Sequence, residues 1–179
     1  MKPNPNVFRW IGETDARLAL PSGCVIEIQR GITKLQERNV AKSLELQSWL
    51  NGLLSSDMPF LPMDAETSKL YARMTIVPDL KDLWMQSPKA KDPRMHQDLA
   101  IAATAIVHRA AVATMNAKDF LRIDRHFPLP GLFNPALLEW IILPKAGYRR
   151  PLAARCRSTE FSRPHHDASA APSLLRATL

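Results

Sequence analysis

The sequence has only two cysteines, Cys24 and Cys156, which lie in segments of very different composition with no CxxC or Cys/His spacing around either. That excludes a cysteine-built zinc site and a disulfide framework; Cys24 reads as a small buried hydrophobe and Cys156 as an incidental exposed thiol. No uninterrupted apolar run approaches the roughly 20 residues needed to span a bilayer, so no membrane partner is expected. Met1 to Asn6 carries one lysine and no apolar stretch behind it, which does not read as a secretory signal, and a cytoplasmic protein is expected. There is no internal repeat.

What is present suits one domain with a genuine core: 179 residues, 46% of them hydrophobic. The formal charge of +7 and a pI near 9.8 favour a polyanionic partner, because Lys and Arg gain most where they displace counterions from phosphates. Charge alone does not separate RNA from DNA or from an acidic protein.

Apolar spacing orders the chain. Val7, Trp10 and Ile11 form a short helical pattern behind the Asn4-Pro5-Asn6 turn, and Leu18 to Leu20 is a brief strand ended by Pro21. Ser22 is placed to cap a helix carrying Val25, Ile28, Ile32 and Leu35. A second helix after Asn39 puts Val40, Leu44, Leu50, Leu53 and Leu54 on its apolar side, so the two make a hairpin. Phe60 to Met63 reads as a buried strand, followed by a helix capped by Asp64 that carries Ala65, Leu70, Tyr71 and Met74. Pro78 to Pro93, with three prolines among charges, reads as an irregular connection with a turn near Leu83 and Trp84. A clearer helix runs from about His96 to Arg109, with Leu99, Ala102, Ala103, Ile106 and Val107 as a close-packing stripe. Ala111 to Met115 and a segment near Leu129 to Phe133 are further strands, and His126 falls in a loop between them. The alternation predicts an α/β domain with a parallel sheet. After Pro135 the chain becomes rich in Arg, Pro, Ser and Ala without periodicity, and residues 135–179 are expected to be a poorly ordered basic tail.

Three acids stand where the surroundings are otherwise apolar or strand-terminal: Glu27 in Val25-Ile26-Glu27-Ile28, Asp98 at the start of the alanine-rich helix, and Asp119 after the Ala111 to Met115 strand. In an open α/β sheet the ligand crevice lies beyond the carboxyl ends of the strands, within reach of all three. Gathered carboxylates repel one another and are relieved by a divalent cation, for which Mg²⁺ suits hard oxygen donors. An acid in a helix's first turn, like Asp98, is equally accounted for as a partner of the helix dipole.

These segments resemble the PIN-domain toxins of the VapC/FitB type. Glu27-Ile28-Gln29-Arg30-Gly31-Ile32 is similar to the Glu-Ile-x-x-Gly element that opens the family's second helix. Asp98 to Ala105 resembles its Asp-x-Leu-Ile-Ala-Ala-Thr-Ala signature, and Thr114 to Phe120 its Thr-x-Asn-x-x-Asp-Phe element. The likeness covers roughly residues 3–134. It implies a three-layer α/β/α fold and an RNA-cleaving site in which Glu27, Asp98 and Asp119 bind Mg²⁺ or Mn²⁺. Asn116 would be the polar residue at the strand end and Thr114 its support. It also implies a small antitoxin protein as partner and a homodimer.

The chain departs from the family at its start. Met1 to Val7 resembles the segment just downstream of the family's first strand, whose Asp is a principal metal ligand, so residues 1–134 are expected to be a PIN-like domain without that strand and with impaired activity. Cys24 replaces a common Thr or Ser, Ile26 replaces a small residue, and the stretch before Asp98 is long, with Lys81, Lys89, Lys91 and Arg94 nearby. The resemblance leaves two explanations open as expectations, a true start upstream or a decayed gene. Two competing functions follow: a non-catalytic interaction protein keeping the antitoxin or dimer surface, and a nucleic-acid binder acting through its tail. His165-His166-Asp167 lies in the tail without a scaffold and is read as solvated. Arg30, Lys34 and Arg38 at helical spacing are either a phosphate-steering stripe or a solvated face.

Overall fold

A computed structural model describes residues 4–85 and 96–144. Lys89, Lys91, Arg94, Cys156, the His165-His166-Asp167 run and the tail from residue 145 lie outside the described residues. The fold is mixed α/β. Helix α1 (Pro5–Glu13) leads to strand β1 (Leu20–Pro21), the α2 (Ser22–Gln36) and α3 (Val40–Leu54) hairpin, β2 (Phe60–Leu61) and α4 (Ala65–Thr75). A 3₁₀ segment (Pro78–Leu83), α5 (Asp98–Val107), β3 (Val112–Ala113), α6 (Ala117–His126), β4 (Leu132–Asn134) and β5 (Glu139–Ile142) complete it.

The sheet is in two pieces among the described residues. β1 pairs with β2 in parallel, Leu20 opposite Phe60; β3 pairs with β4 in parallel, Val112 opposite Leu132; β4 pairs with β5 antiparallel. Both parallel pairs agree with the alternation in the sequence. The antiparallel β5 departs from the expected tail beginning at residue 135. Its Trp140 stacks edge-on against Phe133, which in turn meets Trp10 of α1, so aromatic packing holds this segment where its composition gave no periodic signal. Pro21 continues β1 rather than ending it. Leu20 N–H donates to the Pro59 carbonyl, and alternation turns the Pro21 nitrogen, which has no hydrogen to give, away from β2.

Helix α5 is the centre of the core and packs against α2, α4, α6, β1 and β3. Asp98 through Ala105 are all buried, so the expected apolar stripe is a helix covered on nearly every side. Gly23 lets α2 approach: a Cβ there would lie 2.8 Å from Ile101 Cγ1. The C-terminus of α5 closes with Arg109 in the left-handed region (φ 54°) while Arg109 N–H and Ala110 N–H bond back to the Ile106 and Ala105 carbonyls, the double-bonded cap that turns the chain into β3.

Caps explain other boundaries. Asp64 accepts from Thr67 N–H at 2.8 Å, as the sequence predicts, and Asn39, which precedes the expected second helix, accepts from Lys42 N–H at 3.0 Å. Ser22 does not cap α2: Pro21 occupies the cap position, and the Ser22 hydroxyl is buried without a hydrogen bond among the described residues. In α3 the buried face is Ser43, Leu46 and Leu50, whereas Val40 and Leu44 are 57% and 62% exposed, contrary to the expected apolar side. The helix is apolar on more than one side, and contact with Ile28, Ile32 and Leu35 of α2 selects which side is covered. Among the described residues no helix is long and apolar enough to cross a membrane.

Candidate functional site

The four residues singled out in the sequence meet at one end of α5. Asp98 is the first residue of that helix, and β3 delivers the chain through Thr114 to Asn116, the cap of α6, with Asp119 in the first turn. Glu27 comes from the second turn of α2, brought alongside by the close approach at Gly23. Its Oε1 accepts from Gln97 N–H at 3.0 Å, which also satisfies an open amide at the start of α5.

Asn116 is the link. Its Nδ2 donates to Asp119 Oδ2 at 2.9 Å and reaches Asp98 Oδ2 at 3.4 Å, so both carboxylates sit around one amide nitrogen. Its side chain is therefore turned away from capping its own helix. Thr114, fully buried, accepts the Asn116 N–H through Oγ1 at 3.0 Å and sets the turn.

The electrostatics follow from burial. Asp98 is 6% exposed. Loss of water around its carboxyl, followed by the negative charges of Glu27 and then Asp119, pushes its pKa up to about 7. The helix N-terminus favours the charged form, but it does not outweigh this desolvation. A carboxyl that exchanges its proton near neutrality, at the mouth of two converging helix N-termini, is a place where charge can be changed at little cost.

The donor chemistry fits a hard divalent cation, since carboxylate oxygens converge and repel. Their disposition is not yet that of a ligand set: among the described residues no three Asp, Glu, His or Cys side chains stand grouped to hold a metal ion, and the Asn116 amide lies between two of the acids. Glu27, Asp98 and Asp119 are the side chains whose oxygens would be the donors to such an ion.

Two neighbours were not legible in advance. Arg122, one turn beyond Asp119, and the 3₁₀ segment with Asp79 and Asp82 border the site, and His126 is the last residue of α6 rather than part of a loop, its Nε2 3.0 Å from Asp79 Oδ2. A helix assigned over Ala117–His126, with Phe120 and Ile123 on one face, would have revealed Arg122 at i+3 from Asp119. No protein-family model matches the chain, and no curated protein matches it.

Proposed function

We propose that this chain is a PIN-like domain of the VapC/FitB toxin type that hydrolyses RNA phosphodiester bonds with Mg²⁺ or Mn²⁺. The observation that carries the reading is that Asp98 and Asp119 share the Asn116 amide while Glu27 lies near enough to Asp98 that it and Asp119 both raise the Asp98 pKa. A bound divalent cation would supply charge neutralisation and a water of lowered pKa. Glu27, Asp98 and Asp119 would hold the cation, and the Asn116 amide at the strand end would donate to a phosphate oxygen of the substrate. The basic charge of the chain favours RNA approach. An antitoxin protein and a second copy of the chain are the partners this reading brings with it.

The test is cleavage of a mixed RNA pool by the purified chain with Mg²⁺ or Mn²⁺, beside EDTA and Asp98→Asn controls. Metal-dependent cleavage lost in both controls, by about a thousandfold or more, is the expected result. Cleavage that survives Asp98→Asn would defeat the assignment.

A second reading, a non-catalytic interaction protein of the same fold, is supported by the outward apolar face of α3, where Val40 and Leu44 stand one turn apart and exposed. A folded chain that binds Mn²⁺ weakly, cleaves nothing and forms dimers lost on Leu44→Asp would favour it.

A further inference from the structure

Asp119 is held from both sides. Asn116 Nδ2 takes Oδ2 at 2.9 Å, and Arg122 Nη1 lies 3.6 Å from Oδ1. By itself, an i, i+3 pair at that distance would fix little, because an exposed pair loses most of its Coulomb energy to water and side-chain entropy. Arg122, however, is not free. Its guanidinium forks onto Asp82, Nη1 to Oδ2 at 3.0 Å and Nη2 to Oδ1 at 2.7 Å, and Nη2 also donates to the Asp79 carbonyl. Asp79 is tied in turn to His126 at the end of the same helix. The arginine side chain is only 22% exposed while Asp82 is 69% exposed, so the cation is the embedded partner and the 3₁₀ segment is its clamp. The same contact holds the Asp82 carboxyl below its ordinary range.

We propose that Arg122 is a positioning residue for the acidic site, a planar fork anchored on the 3₁₀ segment that fixes the carboxylate of Asp119 toward Asn116 and Asp98. Only a guanidinium suits this: it presents several coplanar donors, so it can grip Asp82 with one edge and leave a donor for Asp119, which an ammonium cannot do with the same geometry. The proposal deepens the metal-site reading above and rests on it for its purpose, although the arrangement itself is visible without metal. The consequence for a cation is counterintuitive. Removing a positive charge beside three acids strengthens cation binding if charge alone matters, whereas loss of a positioning group weakens it.

Two measurements on the full chain separate these. In metal-free protein, the Asn116 side-chain amide protons are followed by ¹⁵N-correlated NMR in wild type, Arg122→Gln, Arg122→Lys and Asp82→Asn. The expected result is a dispersed, slowly exchanging amide pair in wild type that collapses in Arg122→Gln and is only partly kept in Arg122→Lys and Asp82→Asn. Mn²⁺ affinity, read by electron paramagnetic resonance, is expected to fall roughly 10-fold in Arg122→Gln, the scale typical of groups that orient metal ligands, with partial recovery in Arg122→Lys. An unchanged Asn116 amide in the variants, or Mn²⁺ binding equal to or tighter than wild type in Arg122→Gln, would overturn the proposal. If wild type binds no Mn²⁺, the metal reading fails and the amide comparison alone decides the role of Arg122; if Arg122→Gln does not fold, Arg122→Lys and Asp82→Asn carry the same comparison.

Discussion

Asp98 and Asp119 occupy equivalent places, each in the first turn of a ten-residue helix, yet their surroundings differ completely. Around Asp98 the helix is covered by α2, α4, α6, β1 and β3, and its carboxyl is nearly without water. Asp119 lies on an amphipathic helix that fully buries only Phe120 and Ile123, and it stays partly exposed, with Arg122 and Asn116 as its partners. The same helix-dipole contribution acts on both, so the contrast isolates desolvation as the effect that wins at Asp98.

The largest effect that would sharpen this contrast is on stability against pH in metal-free protein. Between about pH 4 and pH 7 folded Asp98 retains a proton that the unfolded chain has released, so the folded state binds more protons and stability falls as pH rises through that window. With the carboxyl pushed up to about 7, the loss is at most roughly 4 kcal/mol. Urea denaturation of wild type against Asp98→Asn should show the difference between them growing across the window and flattening above it; parallel curves would contradict the burial of that charge. Asp64 and Asp82, whose carboxyls are held below their usual range, act in the opposite direction and below this window.

A smaller effect is expected from Gly23→Ala, which pushes α2 away from α5 at the point that sets Glu27 beside Asp98. With Ile101 Cγ1 at 2.8 Å from the new methyl, about 1–3 kcal/mol of stability should be lost, measured by the same denaturation. No loss would mean that the α2–α5 contact does not enforce the arrangement. The smallest effect is expected at the other acid. Asp119→Asn should change stability by less than about 1 kcal/mol, because its contacts are partly exposed, and should only slightly reduce the pH slope by removing the lesser of the two charges acting on Asp98.

Much of this was legible in residue order. The cap at Asp64, the helix that starts after Asn39, the α2 stripe of Ile28, Ile32 and Leu35, and the strands at Leu20, Phe60 and Val112 follow from local spacing, and the three acids with Asn116 stand out by their motifs. Helix α6 was missed because Lys118, Asp119, Arg122, Asp124 and Arg125 leave only two buried apolar positions among its ten residues, too weak a periodic signal without a partner surface. Strand β5 gives no local signal because Glu139 and Trp140 are exposed while Ile141 and Ile142 are only partly buried, and the segment is held by Phe133 and by pairing with β4. The buried side of α3 could not be chosen from a helix apolar nearly all round.

Local chemistry therefore decided where helices begin, which strands alternate with them and which acids are unusual for their neighbourhood, since caps, periodicity and composition act within a few residues. The tertiary structure alone decided that Glu27, Asp98 and Asp119 share one space, that Asn116 links two of them, and that Arg122 reaches both Asp119 and Asp82. Those outcomes depend on contacts between segments distant in the chain and on the water they exclude, and desolvation is a property of the packed surroundings rather than of any residue in isolation.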